Sequence, residues 1–67
     1  MNLESLSPQE RGVVQRIAEG KPYKAIADEM RIKVRTVEVY AQRARVKLEA
    51  KTVTHLAVIY SVHHRPA

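Results

Sequence analysis

No cysteine occurs in the 67-residue sequence. A disulfide framework and a thiolate zinc site are therefore excluded, and a reducing cytoplasm is the expected setting. Tryptophan and phenylalanine are also absent, leaving three tyrosines as the whole aromatic complement. Tyr23, Tyr40 and Tyr60 are expected as core or rim residues rather than as stacking platforms for single strands. Glycine and proline are sparse, at two and three, while 45% of residues are hydrophobic. That balance excludes a disordered chain and favours a folded, mainly helical one. No apolar run approaches the roughly 18 to 20 residues of a membrane span, and no signal peptide is visible. There is no Ser/His/Asp set, no P-loop and no glycine-rich loop, and Glu10 and Glu38 do not form an acid/base couple. A chain this short can hardly enclose a substrate pocket, so an enzyme is not expected. His55, His63 and His64 lack a supporting cysteine or carboxylate constellation, so neither a metal site nor a cofactor is expected. Negative charge is the last shortage. Seven Asp+Glu face twelve Lys+Arg, for a net charge of +5, which predisposes the chain toward polyanions.

What is present has a clear order. The whole chain, 1–67, is read as one small domain, which buries only about 60% of its unfolded surface and is marginally stable. Ser7-Pro8-Gln9-Glu10 is a helix start: serine caps, proline suits the first helical position, and Glu10 completes a capping box. Val13, Val14, Ile17 and Ala18 recur at helical spacing, and Gly20 suits a left-handed C-cap, predicting a helix over about 8–19. After Gly20-Lys21-Pro22, a short helix over about 23–30 carries Tyr23, Ile26, Ala27 and Met30 on one stripe. Arg31-Ile32-Lys33 makes a tight connection with Ile32 as its buried plug, although no Gly or Pro marks the turn.

The third helix is predicted over about 34–49. Val37, Ala41, Ala44 and Leu48 make its buried stripe, so Arg35, Thr36, Val39, Gln42, Arg43 and Val46 face the other way, with Glu38 at the margin. Thr52 caps a fourth helix over about 53–63. Val53, Leu56 and Tyr60 form one stripe there, with Ile59 beside it. Val58 and Val62 lie on the other side, close to Ser61. A terminal helix has no core on both sides, so this second stripe reads either as a partner surface or as two scattered surface valines. A frayed tail is expected from His63 to Ala67.

A brief second helix, a tight turn and a longer third helix describe an all-α, tetrahelical helix-turn-helix domain. In that motif the third helix enters the DNA major groove. Arg35, Thr36, Gln42 and Arg43 can donate to phosphates or bases, Glu38 can accept from a cytosine amino group, and Val39 can meet a thymine methyl. An exposed Val39 in a polar face has no reason to be there for solubility alone.

The stretch LSPQERGVVQRIAEGKPYKAIADEMRIKVRTVEVYAQRARVKLEAKTVTHL, about residues 6–56, resembles the LuxR/FixJ-type (GerE-like) helix-turn-helix domain of bacterial transcription regulators. The resemblance rests on Leu6-Ser7-Pro8 with Glu10-Arg11, Ile17-Ala18-Glu19-Gly20, Lys24 with Ile26-Ala27, Arg35-Thr36-Val37-Glu38-Val39, and Lys47-Leu48, in matching order and spacing. Ala50-Lys51-Thr52 and His55-Leu56 lean toward its FixJ-like branch.

The resemblance implies a sequence-specific binder of double-stranded DNA. Glu38, Val39 and Gln42 would face bases, while Lys24, Arg35, Thr36, Arg43 and Lys47 would lie near phosphates. It further implies a homodimer on an inverted-repeat operator, paired through the fourth helix at Val58, Ser61 and Val62. RNA polymerase is a further candidate partner, and the location would be the bacterial cytoplasm, at the nucleoid when bound. The chain departs from the pattern at Arg31 (usually Gly), at Lys33-Val34 (usually Ser-Pro) and at Tyr40 (usually His). The missing serine cap costs about 1 kcal/mol, and Lys33 is placed to reach a phosphate instead. Met1 is compatible with a stand-alone regulator and with the effector domain of a receiver-bearing response regulator of a two-component system. Two rivals stand beside this reading: region 4 of a sigma factor, and an interaction module that has kept the fold but lost DNA.

Overall fold

The capping box at the start of the first helix is formed in full. Ser7 Oγ accepts from the Glu10 N–H at 3.2 Å, and Glu10 Oε1 accepts from the Ser7 N–H at 2.9 Å. In the computed structural model, which describes residues 3–63, this box opens α1, Pro8–Ala18. There follow α2, Tyr23–Met30, α3, Val34–Lys47, and α4, Val53–His63, after a single 3-10 turn at Leu3–Ser5. Among the described residues there are four α-helices and no strand. The all-α expectation is met. His63 closes α4, and the rest of the expected frayed tail lies outside the described residues.

Three helices end in the same way. Gly20 takes φ +84°, and the N–H groups of Gly20 and Lys21 bond back to Ile17 O and Arg16 O. At the end of α2, Arg31 sits at φ 57°, with its N–H on Asp28 O and that of Ile32 on Ala27 O. At the end of α3, Glu49 sits at φ 54°, and Glu49 and Ala50 bond to Val46 O and Arg45 O. Each is a Schellman closure with a left-handed residue at its pivot. This explains why α3 stops at Lys47 and not at 49: the left-handed Glu49 turns the chain before another helical bond can form.

Only the first pivot is a glycine. A side chain in the left-handed region costs roughly 1–2 kcal/mol, which glycine does not incur. Arg31→Gly is therefore expected to stabilise the domain by about 0.5–1 kcal/mol net, raising Tm by several degrees in a thermal melt. A lowered Tm would mean that the arginine side chain contributes more than its backbone strain costs.

The core has two clusters with α1 between them. Val13 packs with Ile26, Ala27, Val37 and Ala41, and Tyr23, Met30, Ile32 and Tyr40 close its edge. Val14 faces the other way, toward Leu6, Ala44, Leu48, Leu56, Ile59 and Tyr60. The stripe Val37, Ala41, Ala44 and Leu48 thus runs along α3 through both clusters, each residue at most 2% exposed. Ile17, Ala18, Tyr23, Met30, Ile32 and Val53, all expected in the core, are only half-buried. Ile32 borders its cluster rather than plugging it, and Val53 lies at the start of α4 where the chain still turns. Thr52 caps α4, its Oγ1 accepting from the His55 N–H at 3.0 Å.

Candidate nucleic-acid interface

Burying one stripe of α3 fixes what the opposite side presents. Arg35, Glu38, Val39, Gln42 and Arg43 are exposed together and line one open depression. A second depression, formed by Lys33, Arg35, Thr36, Val39, Tyr40 and Arg43, adjoins it. Arg35, Val39 and Arg43 border both. Val39, 38% exposed, is the apolar residue that both depressions share with Arg35 and Arg43. Tyr40, expected at a core or a rim, is a rim: it packs against the core cluster and lines the second depression.

The cations divide into two groups. Arg16 Nε lies 3.1 Å from Glu29 Oε1, and Lys21 Nζ lies 2.9 Å from both Glu29 oxygens, so this carboxylate joins the end of α1 to α2. The bond from Lys21 is the main reason the Glu29 carboxyl is held below its usual range. Lys47 Nζ donates to Glu10 Oε1 at 2.8 Å. Among the described residues, Lys24, Lys33, Arg35 and Arg43 form no ion pair with any carboxylate, and neither do Arg11, Arg31, Arg45 and Lys51. Lys33, Arg35 and Arg43 line the depressions, and Lys24 is exposed on α2 outside both. Three uncompensated cations therefore stand together at the outer face of α3.

Lys47 does not join this group. Burial would raise the Glu10 carboxyl, but the Lys47 ammonium and the Ser7 N–H and hydroxyl outweigh it and hold the group below its usual value. The lysine serves a carboxylate only 3% exposed, in the cap of α1, which makes it a structural partner. Near the turn, burial raises the Tyr23 phenol, and the charge of Glu38 adds to the effect. Both α2 and α3 begin without a side-chain cap, at Pro22 and Lys33. On α4, Val58 and Val62 are 54% and 56% exposed, with Ser61 exposed between them. Arg45 drew no attention in the sequence, yet it donates from Nε to Gln42 Oε1 at 3.1 Å and from a terminal nitrogen to Ala50 O at 2.9 Å. The spacing of three residues along a helix was a usable signal for the first bond.

A short helix, a tight turn and a longer helix that turns an uncompensated basic face outward define a helix-turn-helix protein. The model of the family described as bacterial regulatory proteins, luxR family, matches residues 4–60, and the chain belongs to that family of DNA-binding regulators, which are not enzymes. The chain is similar to the transcriptional regulatory protein FixJ of Rhizobium meliloti (strain 1021), at 41% identity over 54 residues. That match covers 81% of this chain and 26% of the relative, so the chain spans about a quarter of the relative's length. No solved structure matches the chain.

Proposed function

We propose that the domain binds double-stranded DNA in a sequence-specific manner, with α3 in the major groove. One observation carries this reading: three cations without an ion pair, Lys33, Arg35 and Arg43, line the outward face of α3, where Val39 is exposed. Glu38, Val39 and Gln42 read base edges. Lys24, Lys33, Arg35, Thr36 and Arg43 meet phosphates, which fixes the register of the helix in the groove. Lys47 is left out of the phosphate set because its ammonium is engaged by Glu10.

Two copies pair through Val58, Ser61 and Val62 of α4, and so occupy half-sites about one helical turn apart on an inverted repeat. The exposure of both valines on a terminal helix supports this pairing. In the whole regulator the domain is the output unit, either of a phosphorylated response regulator in a two-component system or of a stand-alone protein. It acts in the bacterial cytoplasm, at the nucleoid when bound, with RNA polymerase as a further partner.

Selection of bound sequences from random duplexes tests all of this at once. The expected product is a pair of inverted half-sites about 10 bp apart. Val62→Asp should reduce it to a single half-site. Glu38→Ala and Gln42→Ala should each change preference at one or two positions, while Lys24→Ala weakens binding to every sequence alike. Unchanged preference in both the Glu38 and Gln42 variants would remove α3 from the groove.

A further inference from the structure

Gln42 does not stand free on the outer face. Its side-chain oxygen accepts from Arg45 Nε at 3.1 Å, one helical turn further along α3. A guanidinium only donates, so the atom facing it must be the amide oxygen and not the nitrogen. The same guanidinium donates to Ala50 O at 2.9 Å, just beyond the left-handed Glu49 that closes α3. Arg45 is half-buried, and its two bonds diverge to a side chain and to a main-chain carbonyl. Its planar fork aims two different nitrogens at the two acceptors in a fixed geometry, which a freely rotating ammonium does not impose.

We infer that Arg45 is a positioning residue for base selection: it anchors the Gln42 oxygen and so directs the two amide N–H donors toward the DNA. The inference rests on the groove-binding reading above. A glutamine free to turn can present oxygen and nitrogen together to adenine, or the oxygen alone to a cytosine amino group. An anchored one offers donors first. Guanine N7 and O6, adenine N7 and thymine O4 accept such a donor, whereas cytosine presents only an amino group in the major groove. On the strand that Gln42 contacts, cytosine is the base excluded.

The test compares base preferences, by selection from random duplexes, for the wild type, Gln42→Ala, Arg45→Lys and the double variant. Gln42→Ala locates the position that Gln42 reads. Arg45→Lys keeps the charge, so phosphate attraction is unchanged, but it loses the rigid fork that fixes the Gln42 oxygen. Discrimination against cytosine at that one position should fall about three- to fivefold, the cost of ordering one loose side chain, with other positions unaffected. In the Gln42→Ala background, Arg45→Lys should add nothing there.

A uniform loss of affinity over all sequences would make Arg45 a phosphate contact and overturn the inference. Unchanged discrimination would overturn it too. If the wild type enriches no sequence at all, the groove-binding reading falls, and this inference falls with it. A second measurement does not depend on how the Arg45 variant folds. In the free wild-type chain the Arg45 Nε–H resonance should exchange slowly with water, and Gln42→Ala should speed it. Fast exchange in the wild type would show that the bond does not persist.

Discussion

Replacing Arg35 and Arg43 together by alanine should lower affinity for duplex DNA about 50-fold at about 0.1 M salt. Both side chains border the two depressions on α3, and neither is paired with a carboxylate among the described residues. Each cation that meets a phosphate releases condensed counterions, which contributes about 0.9 to the slope of log affinity against log salt. At about 0.1 M salt that is close to one decade per contact. The measurement is a titration of labelled duplex at several salt concentrations. The variant's slope should be shallower by about two. Because both residues are exposed and unpaired, stability should change by less than about 0.5 kcal/mol. A slope identical to that of the wild type would show that the outer face of α3 does not meet the backbone.

The second large effect is on stability. Glu10→Ala should cost about 2–3 kcal/mol and lower Tm by about 10–15 °C. The carboxylate closes the capping box of α1 through Ser7 and binds the Lys47 ammonium across the core boundary. Alanine removes both bonds and leaves a gap at a position that is 3% exposed. In a domain of this size that is a large share of the total. The same group makes the wild type sensitive to acid. The Glu10 carboxyl titrates lower in the folded chain than in the unfolded one, so the unfolded chain binds the proton first as pH falls. The stabilisation is complete above the ordinary glutamate value of about 4.3 and is lost as pH falls through the lower folded value. Denaturant midpoints measured between about pH 7 and pH 3 should therefore converge for the wild type and Glu10→Ala. A gap that persists at low pH would mean that packing, and not the ion pair, dominates at this position.

Local chemistry was legible and distant pairing was not. Ser7, Pro8 and Glu10 announced the start of α1, and Gly20 announced its end, because each acts within a few residues of itself. The buried stripe of α3 was readable for the same reason, and with it the grouping of Arg35, Glu38, Val39, Gln42 and Arg43 on the other side. The pivots at Arg31 and Glu49 were hidden, since neither residue type prefers the left-handed region. The backbone bonds that close each helix hold them there without any side-chain signal, and that is why α3 was expected to run two residues further than it does. The partnership of Lys47 was hidden for a different reason. Glu10 lies 37 residues away in sequence, so a lysine matching a phosphate-binding pattern gave no sign of being engaged elsewhere.

The exposed large hydrophobic residues among those described are Val34, Val39, Val46, Val58 and Val62, every one a valine on α3 or α4. Valine branches at Cβ, and in a helix about 90% of its population occupies one χ1 well. Leucine or methionine at these sites would hop among several wells in water and would have to give up that freedom on docking. Each of the five valines is thus held in nearly one shape in the free chain. In the proposed groove contact Val39 would carry little entropic penalty, while the long Arg35 and Arg43 beside it would have to be stilled. On that face the apolar part would be a rigid template around which the flexible charges settle.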